Sequence, residues 1–176
     1  MNQNFYDKLN NVIAKDSILI DEPMSRHTTF RVGGPADFFV TPKAKEEVRD
    51  VVRICKEAGM PYYIIGNGSN LLVSDAGYRG VIVQIYKEMN EVKVEGDLVK
   101  AQAGALLSGI AAKALGAELS GFEFASGIPG TIGGACVMNA GAYGGEMKDV
   151  LEFVTVLTGE GKIIELGRNE LELGYR

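Results

Sequence analysis

The chain has 176 residues, of which 46% are hydrophobic and 23% charged, a composition typical of a globular protein long enough to bury a sizeable core. Its formal net charge is -5, with 18 Lys and Arg scattered among 23 Asp and Glu, which argues against nucleic acid or an anionic membrane surface as a partner. Two distant cysteines and one histidine indicate neither a metal site nor a disulfide framework, so we expect a reduced, cytoplasmic protein.

No segment has the pattern of a signal peptide or a membrane span. Residues 1–17 mix acidic and amide side chains with apolar ones, unlike a secretory signal. The uncharged stretch from Phe124 to Gly145 contains Pro129, Asn139 and many glycines, which disfavour a stable apolar helix. We therefore expect no membrane partner.

Helical spacing is clear at two places in the first half of the chain. Phe5, Leu9, Val12 and Ile13 predict a short amphipathic opening helix. Residues 43–59 predict a second helix that ends at Gly59 and places one apolar face inward; that face comprises Val48, Val51, Val52 and Cys55. Cys55 is accordingly interpreted as a core residue and not as a nucleophile.

Extended segments surround the second helix. Residues 26–42 predict two extended pieces around a tight turn at Gly33-Gly34-Pro35. After the helix, "YYII" at 62–65, "LLV" at 71–73 and "VIVQI" at 81–85 predict further strands. The first 85 residues thus have an α/β pattern, and because the pattern changes from about Val81, residues 1–80 are predicted to form a first α/β lobe.

Residues 81–176 have a different pattern and predict a second, α+β lobe that packs closely on the first. A hairpin is expected over Gly96-Asp97, a helix over residues 105–116, and a second hairpin over residues 159–161. Between helix and hairpin, residues 121–145 contain eight glycines among apolar side chains. We expect buried, glycine-dense backbone there, because glycine allows a flat or charged ligand to approach closely.

The loop Gly66-Asn67-Gly68-Ser69-Asn70 allows two interpretations. It lacks the G-x-G-x-x-G spacing of the dinucleotide fingerprint, but its N–H groups and polar side chains are suited to a pyrophosphate. The alternative is a plain hairpin turn, because Asn-Gly is a strong hairpin signal. A polar and an apolar glycine loop in one chain favour a ligand with a phosphate bridge and a flat ring.

Four segments together resemble the UDP-N-acetylenolpyruvoylglucosamine reductase family of peptidoglycan synthesis. They are "TTFRVGGPADFFVTP", "GNGSNLLVSDAGYRGVIVQI", "SGIPGTIGGACVMNAGAYGGE" and "LELGYR", and they occur in order from His27 to Arg176. The resemblance implies an α+β flavoprotein with the two-lobed FAD-binding fold of the vanillyl-alcohol oxidase and p-cresol methylhydroxylase type.

The resemblance also implies which residues hold FAD. The pyrophosphate would lie on Gly66, Asn67, Gly68, Ser69, Asn70 and Leu71. The flavin and its ribityl chain would contact Gly127, Ile128, Pro129, Gly130, Thr131, Gly133 and Gly134. The lone His27 precedes the first loop in a strand-like segment, so we expect a structural histidine and noncovalent FAD.

In the family, NADPH reduces the flavin, which then delivers hydride to the enolpyruvyl group of UDP-N-acetylglucosamine enolpyruvate to give UDP-N-acetylmuramate. An arginine that follows a tyrosine holds the substrate carboxylate, and here that pair is Tyr175 and Arg176. A guanidinium is suited to the task because it stays protonated and grips a carboxylate with two donors.

Family members are roughly twice as long as this chain, and their additional length carries a proton-donating serine, a glutamate and most of the third, substrate-binding lobe. The chain as given is therefore expected to be an inactive fragment of a reductase. Two alternatives stay open at this point: a non-catalytic FAD or nucleotide module, and a flavin oxidase of the same fold.

Overall fold

The computed structural model describes residues 3–174, and the chain folds as two compact units, residues 1–89 and 90–176. The first unit contains two helices and a four-stranded sheet. Its elements are α1 (Gln3–Asn10), β1 (Ile18–Pro23), β2 (Pro35–Val40), α2 (Lys45–Glu57), β3 (Tyr62–Ile65) and β4 (Tyr78–Gln84).

The sheet of the first unit has the strand order β1-β2-β4-β3. β1 is antiparallel to β2, whereas β4 is parallel to both of its neighbours. The predicted lobe boundary between Gly80 and Val81 falls inside β4, so the observed division between Met89 and Asn90 comes after the sheet is complete.

Both faces of this sheet are covered, and successive residues of β2 show it. Phe38 and Val40 pack in one cluster with the apolar faces of α1 and α2, while Phe39 packs in another with Met24. This alternation is the period-2 pattern of a strand. The predicted helical face of α2 is confirmed, since its four apolar residues are at most 5% exposed. Burying each such valine contributes about 1.5–3 kcal/mol.

Two sequence predictions in the first unit are wrong. Residues 28–32 form no strand, because the Thr28 hydroxyl donates to the Val32 carbonyl at 3.0 Å and Arg31 adopts a φ of 56°. The partner of β2 is instead β1, whose sequence "ILIDEP" shows no regular alternation. Residues 71–73 are also not a strand; Leu71 and Val73 pack on the second cluster.

The second unit contains three antiparallel pairs of strands with helices between them. Its elements are β5 (Val92–Glu95), β6 (Leu98–Ala101), α3 (Leu107–Gly116), α4 (Ile132–Met138), β7 (Gly141–Ala142), β8 (Gly145–Glu146), α5 (Met147–Val150), β9 (Phe153–Leu157) and β10 (Ile163–Gly167). Both predicted hairpins and the predicted helix α3 are confirmed.

The glycine-rich stretch 121–145 is more regular and less buried than predicted. It contains α4 and the short β7–β8 pair, and Val137 is 85% exposed. Only part of the stretch contributes to the core, where Ala125 and Ala135 pack with Leu107 and Met147. Within residues 3–174, no helix combines the length and the apolar character that crossing a bilayer requires.

Burial determines the reactivity of Cys55. Its side chain is fully buried, and desolvation raises the thiol pKa from 9.0 to about 12. Because the thiolate is the nucleophile, native Cys55 should resist iodoacetamide at pH 9, where the thiol of the unfolded chain is half ionised. Mass spectrometry of alkylated peptides, with and without urea, measures this. Rapid native alkylation at Cys55 would contradict the buried position.

Candidate functional site

The first candidate loop, residues 66–70, follows β3 and belongs to a crossover connection. β3 and β4 are parallel, with Tyr62 opposite Val81, and the connection between them runs from Gly66 to Gly77. A hairpin turn requires antiparallel strands. The structure therefore excludes the hairpin interpretation of this loop.

The donors of this loop are suited to an anion. No backbone carbonyl of residues 3–174 accepts a hydrogen bond from the N–H of Gly66, Asn67, Gly68 or Asn70. Gly68 has a φ of 71°, and successive N–H groups in such turns form a concave anion site. The loop carries no acidic side chain, so its chemistry fits a phosphate group.

The shape of the loop depends on its contact with residues 27–29. A Cβ added to Gly68 would overlap the carbonyl oxygen of His27, and the N–H of Thr29 donates to the carbonyl of Gly68 at 3.2 Å. Glycine at position 68 is thus required by the packing of the protein itself. The sequence analysis attributed this glycine to the close approach of a ligand and did not predict its contact with His27.

The side chain of His27 is itself held in place by two neighbours. Its Nε2 lies 2.9 Å from Oε1 of Glu22, and its ring stacks on Phe39 with centroids 3.9 Å apart. The imidazole is mostly buried by these neighbours, with the side chain 16% exposed. This is the structural histidine expected from the sequence.

The second candidate loop, residues 127–134, is partly committed to the chain's own packing. The N–H of Ile132 donates to Ala105 at 2.8 Å, and that of Gly133 donates to Ala103 at 2.9 Å. A Cβ on Gly133 would lie 2.9 Å from the Cβ of Ala103. The N–H groups of residues 132 and 133 are therefore already satisfied and do not offer donors to a ligand.

Thr131 is the N-cap residue that precedes α4, and it is 2% exposed. Its hydroxyl oxygen accepts a hydrogen bond from the N–H of Gly134 at 3.4 Å, as expected of an N-cap. Just before it, Gly130 has a φ of 157°, and its carbonyl accepts the N–H of Leu107. Gly130 and Thr131 thus set the path of the loop.

Gly127 and Gly134 differ from Gly133, because a side chain at either position would not overlap any described part of the chain. No heavy atom lies within 4 Å of a Cβ added to Gly127, and only the Thr131 hydroxyl oxygen, at 3.6 Å, approaches one on Gly134. Both glycines are exposed. Gly127 thus leaves open space directly before Ile128 and Pro129 in the chain, which fits the approach of a flat apolar group, and Gly134 leaves open space on the first turn of α4.

A polar network centred on the buried side chain of Asn139 occupies the region that follows α4. Asn139 is 4% exposed, and its Nδ2 donates to Oε2 of Glu146 at 2.7 Å and to the carbonyl of Gly174 at 3.1 Å. The side chain of Lys148 lies 2.9 Å from the same Glu146 oxygen. Hydrogen bonds from Lys148 and Asn139 lower the pKa of Glu146, so it is charged at neutral pH. The sequence analysis did not single out this network.

Tyr175 and Arg176, the predicted substrate residues, lie outside the described residues. Within residues 3–174, no group of three or more His, Cys, Asp or Glu side chains could hold a metal ion.

Comparisons with known proteins agree with the resemblance seen in the sequence. The profile of a family described as FAD binding domain matches residues 36–167. The UDP-N-acetylenolpyruvoylglucosamine reductase of Clostridioides difficile (strain 630) is 50% identical over 175 residues, 99% of this chain and 58% of that protein. The reductase of Alkaliphilus metalliredigens (strain QYMF) is 51% identical over 174 residues, 99% of this chain and 57% of that protein.

Two solved structures are similar to this chain in fold. The reductase from Thermus caldophilus matches with a TM-score of 0.73 and 36% identity, covering 90% of this chain and 55% of that one. p-Cresol methylhydroxylase, at 20% identity, matches with a TM-score of 0.72 over 98% of this chain and 38% of that one, which shows the fold alone. The predicted fold class is confirmed. The chain spans a little under three fifths of the length of the curated relatives it matches.

The two glycine positions with opposite surroundings allow a matched stability test. Gly68→Ala should lower the free energy of unfolding of the ligand-free protein by about 1–3 kcal/mol or more, because the added Cβ overlaps the backbone of His27 at a positive φ. Gly127→Ala, with open space around its Cβ, should change it by no more than about 0.5 kcal/mol. Urea unfolding measures both variants, and equal losses would contradict the packing described for Gly68.

Proposed function

We propose that this chain, which belongs to the FAD binding domain family, is the FAD-binding part of an NADPH-dependent UDP-N-acetylenolpyruvoylglucosamine reductase. The observation that carries the proposal is that both glycine loops lie within a segment 50% identical to a curated reductase over 99% of this chain. The product would be UDP-N-acetylmuramate, a precursor of peptidoglycan. We place the reaction in the cytoplasm, in support of cell-wall growth, cell shape and division.

The first loop would hold the pyrophosphate of FAD. The N–H groups of Gly66, Asn67, Gly68 and Asn70 donate to no described backbone carbonyl and would donate to phosphate oxygens, with the side chains of Ser69 and Asn70 adding further donors. Leu71 would act indirectly, because its side chain packs on the core cluster next to the loop and fixes where the loop ends. Residues 1–80 would thus supply the phosphate contacts.

The second loop would line the flavin and its ribityl chain. Gly127 and Gly134 provide the open surface, and Ile128 and Pro129 the apolar contacts beside it. The other three residues, Gly130, Thr131 and Gly133, would set the path of the backbone through their own hydrogen bonds. FAD would be held noncovalently, because His27 is engaged with Glu22 and Phe39. Residues 81–176 would thus supply the flavin contacts.

FAD supplies the hydride-transfer chemistry of the reaction, and NADPH would be the reductant. The task left to the protein is to hold the enolpyruvyl carboxylate of the UDP-sugar as negative charge develops on it. Arg176 would do so with a two-pronged hydrogen bond, and Tyr175 would help to bind the substrate. No nucleic acid or membrane takes part in this proposal.

FAD binding can be tested on this chain with a matched pair of glycine variants. Purified protein should release FAD when denatured, and added FAD should raise its melting temperature. Gly127→Val should weaken FAD binding at least about tenfold, because the side chain would enter the open surface, while the ligand-free fold is retained. Gly109→Val, also open around its Cβ but on α3, is the control and should bind FAD as the wild type does.

Titration of FAD by fluorescence quenching, together with melting curves of the ligand-free variants, measures these effects. Equal affinity of the Gly127 and Gly109 variants would contradict the flavin contact. If neither the wild-type chain nor any variant binds FAD, the proposed cofactor is wrong for this chain.

The reductase activity is best tested by joining this chain to the part of the Clostridioides difficile relative that the alignment does not cover. The joined, FAD-loaded protein should oxidise NADPH only when the enolpyruvyl UDP-sugar is present. Arg176→Lys should lower kcat by roughly 10- to 100-fold, because a point charge cannot reproduce the two-pronged grip. Arg53→Lys, on an exposed face of α2, is the control.

Substrate-dependent oxidation that is unchanged in Arg176→Lys would overturn the role of the guanidinium. NADPH oxidation that produces hydrogen peroxide and ignores the UDP-sugar would favour a flavin oxidase. FAD binding with no redox activity in the joined protein would favour the non-catalytic module.

A further inference from the structure

Three helices end with the same backbone motif. After α2, α3 and α4, a residue with positive φ lets the next N–H donate back to the carbonyl five residues earlier, at 2.8–2.9 Å. The residues with positive φ are Gly59 at 60°, Glu118 at 58° and Asn139 at 41°. Glycine is the residue that this cap favours. Asparagine is the other residue that takes this conformation readily, so the cap alone does not distinguish Asn139 from glycine.

What distinguishes Asn139 from glycine is its side chain, which uses both ends of its amide. Its Oδ1 accepts the N–H of Lys148 at 3.0 Å, while its Nδ2 donates to Glu146 and to the carbonyl of Gly174. The acceptor and donor partners fix the orientation of the amide. Aspartate could not donate, and glycine would leave the Gly174 carbonyl without this partner.

The partners of Asn139 are themselves held. The N–H of Glu146 donates to Oδ2 of Asp149 at 2.9 Å in the capping box of α5, and the Glu146 carboxylate also lies against Nζ of Lys148. A hydrogen bond to an ionised acceptor is roughly twice as strong as one between neutral groups. Asn139 therefore connects the end of α4, the start of α5 and the backbone of residue 174 through one rigid amide.

We infer that Asn139 is a positioning residue for the substrate-binding pair Tyr175 and Arg176, because it anchors the carbonyl of the residue that precedes them. The inference rests on the proposed function, in which Arg176 holds the enolpyruvyl carboxylate. A two-pronged guanidinium contact requires the arginine backbone to be placed to within a fraction of an ångström, and a misplacement of about 1 Å can cost about 100-fold in rate. Asn139 precedes Gly174 by 35 residues in the sequence.

The test compares Asn139→Gly with Glu118→Gly. Both variants place glycine at a left-handed position of the same helix-ending motif, so the backbone effect is matched. Only the first removes the amide that holds Gly174. In the joined, FAD-loaded protein, Asn139→Gly should lower kcat with the enolpyruvyl substrate by roughly 10- to 100-fold, while FAD affinity and the rate of flavin reduction by NADPH stay at the wild-type level.

A second readout does not depend on turnover. Limited chymotrypsin digestion of this chain, followed by mass spectrometry, reports opening of the segment that contains Leu171 and Leu173. Cleavage there should be roughly tenfold faster in Asn139→Gly, the effect of losing one part-buried hydrogen bond, and unchanged in Glu118→Gly. Asn139→Asp keeps the acceptor for Lys148, lacks the donor and adds a second carboxylate beside Glu146, so it should open the segment at least as much as Asn139→Gly and serves if the glycine variant does not fold.

The outcomes separate the inference from the proposed function. If the two glycine variants are cleaved alike, or if Asn139→Gly opens the segment but keeps wild-type kcat, the inference is overturned. Loss of flavin reduction by NADPH in Asn139→Gly would also overturn it, because the damage would then lie elsewhere. If the wild type itself shows no substrate-dependent oxidation, the proposed function fails, and the digestion alone decides whether Asn139 anchors Gly174.

Discussion

The contact of Gly68 with the backbone of His27 is the constraint on which the first loop depends. A Cβ on Gly68 would overlap the His27 carbonyl, and the N–H of Thr29 donates a hydrogen bond to the carbonyl of Gly68. His27, held by Glu22 and Phe39, supplies the rigid surface. Because the loop is shaped by this contact, its N–H groups are arranged before any ligand arrives.

The same kind of contact recurs along the first unit. A Cβ on Gly34 would overlap the carbonyl of Asp75, one on Gly77 would overlap that of Pro35, and one on Gly80 would overlap that of Pro61. Backbone thus lies directly on backbone where the crossover between β3 and β4 returns to the sheet. This close packing gives the crossover a defined path although it contains no helix to stiffen it.

In the second unit, some glycines are required by packing and others have open space around them. Gly133 and Gly145 are needed for packing, against Ala103 and Phe124, whereas Gly127 and Gly134 face open space. A position that must turn left-handed after α4 carries Asn139 instead of glycine, and its side chain holds three partners at once. Packing glycines, open glycines and a bonded asparagine are mixed in a single stretch of 25 residues.

The sequence by itself determined helices α2 and α3, the hairpins β5–β6 and β9–β10, and the two candidate loops. The helical spacing of α2, the two-residue turn at Gly96-Asp97 and the order of the glycine motifs each depend on neighbouring residues, so they are visible in a linear pattern. The resemblance to the reductase family followed from those motifs in combination. Only the tertiary structure decided that β3 and β4 are parallel, that β1 pairs with β2, and that Gly68 has no room for a Cβ whereas Gly127 has. These depend on residues far apart in the chain, such as His27 beside Gly68 or Gly174 beside Asn139, and a one-dimensional pattern contains no distance between them.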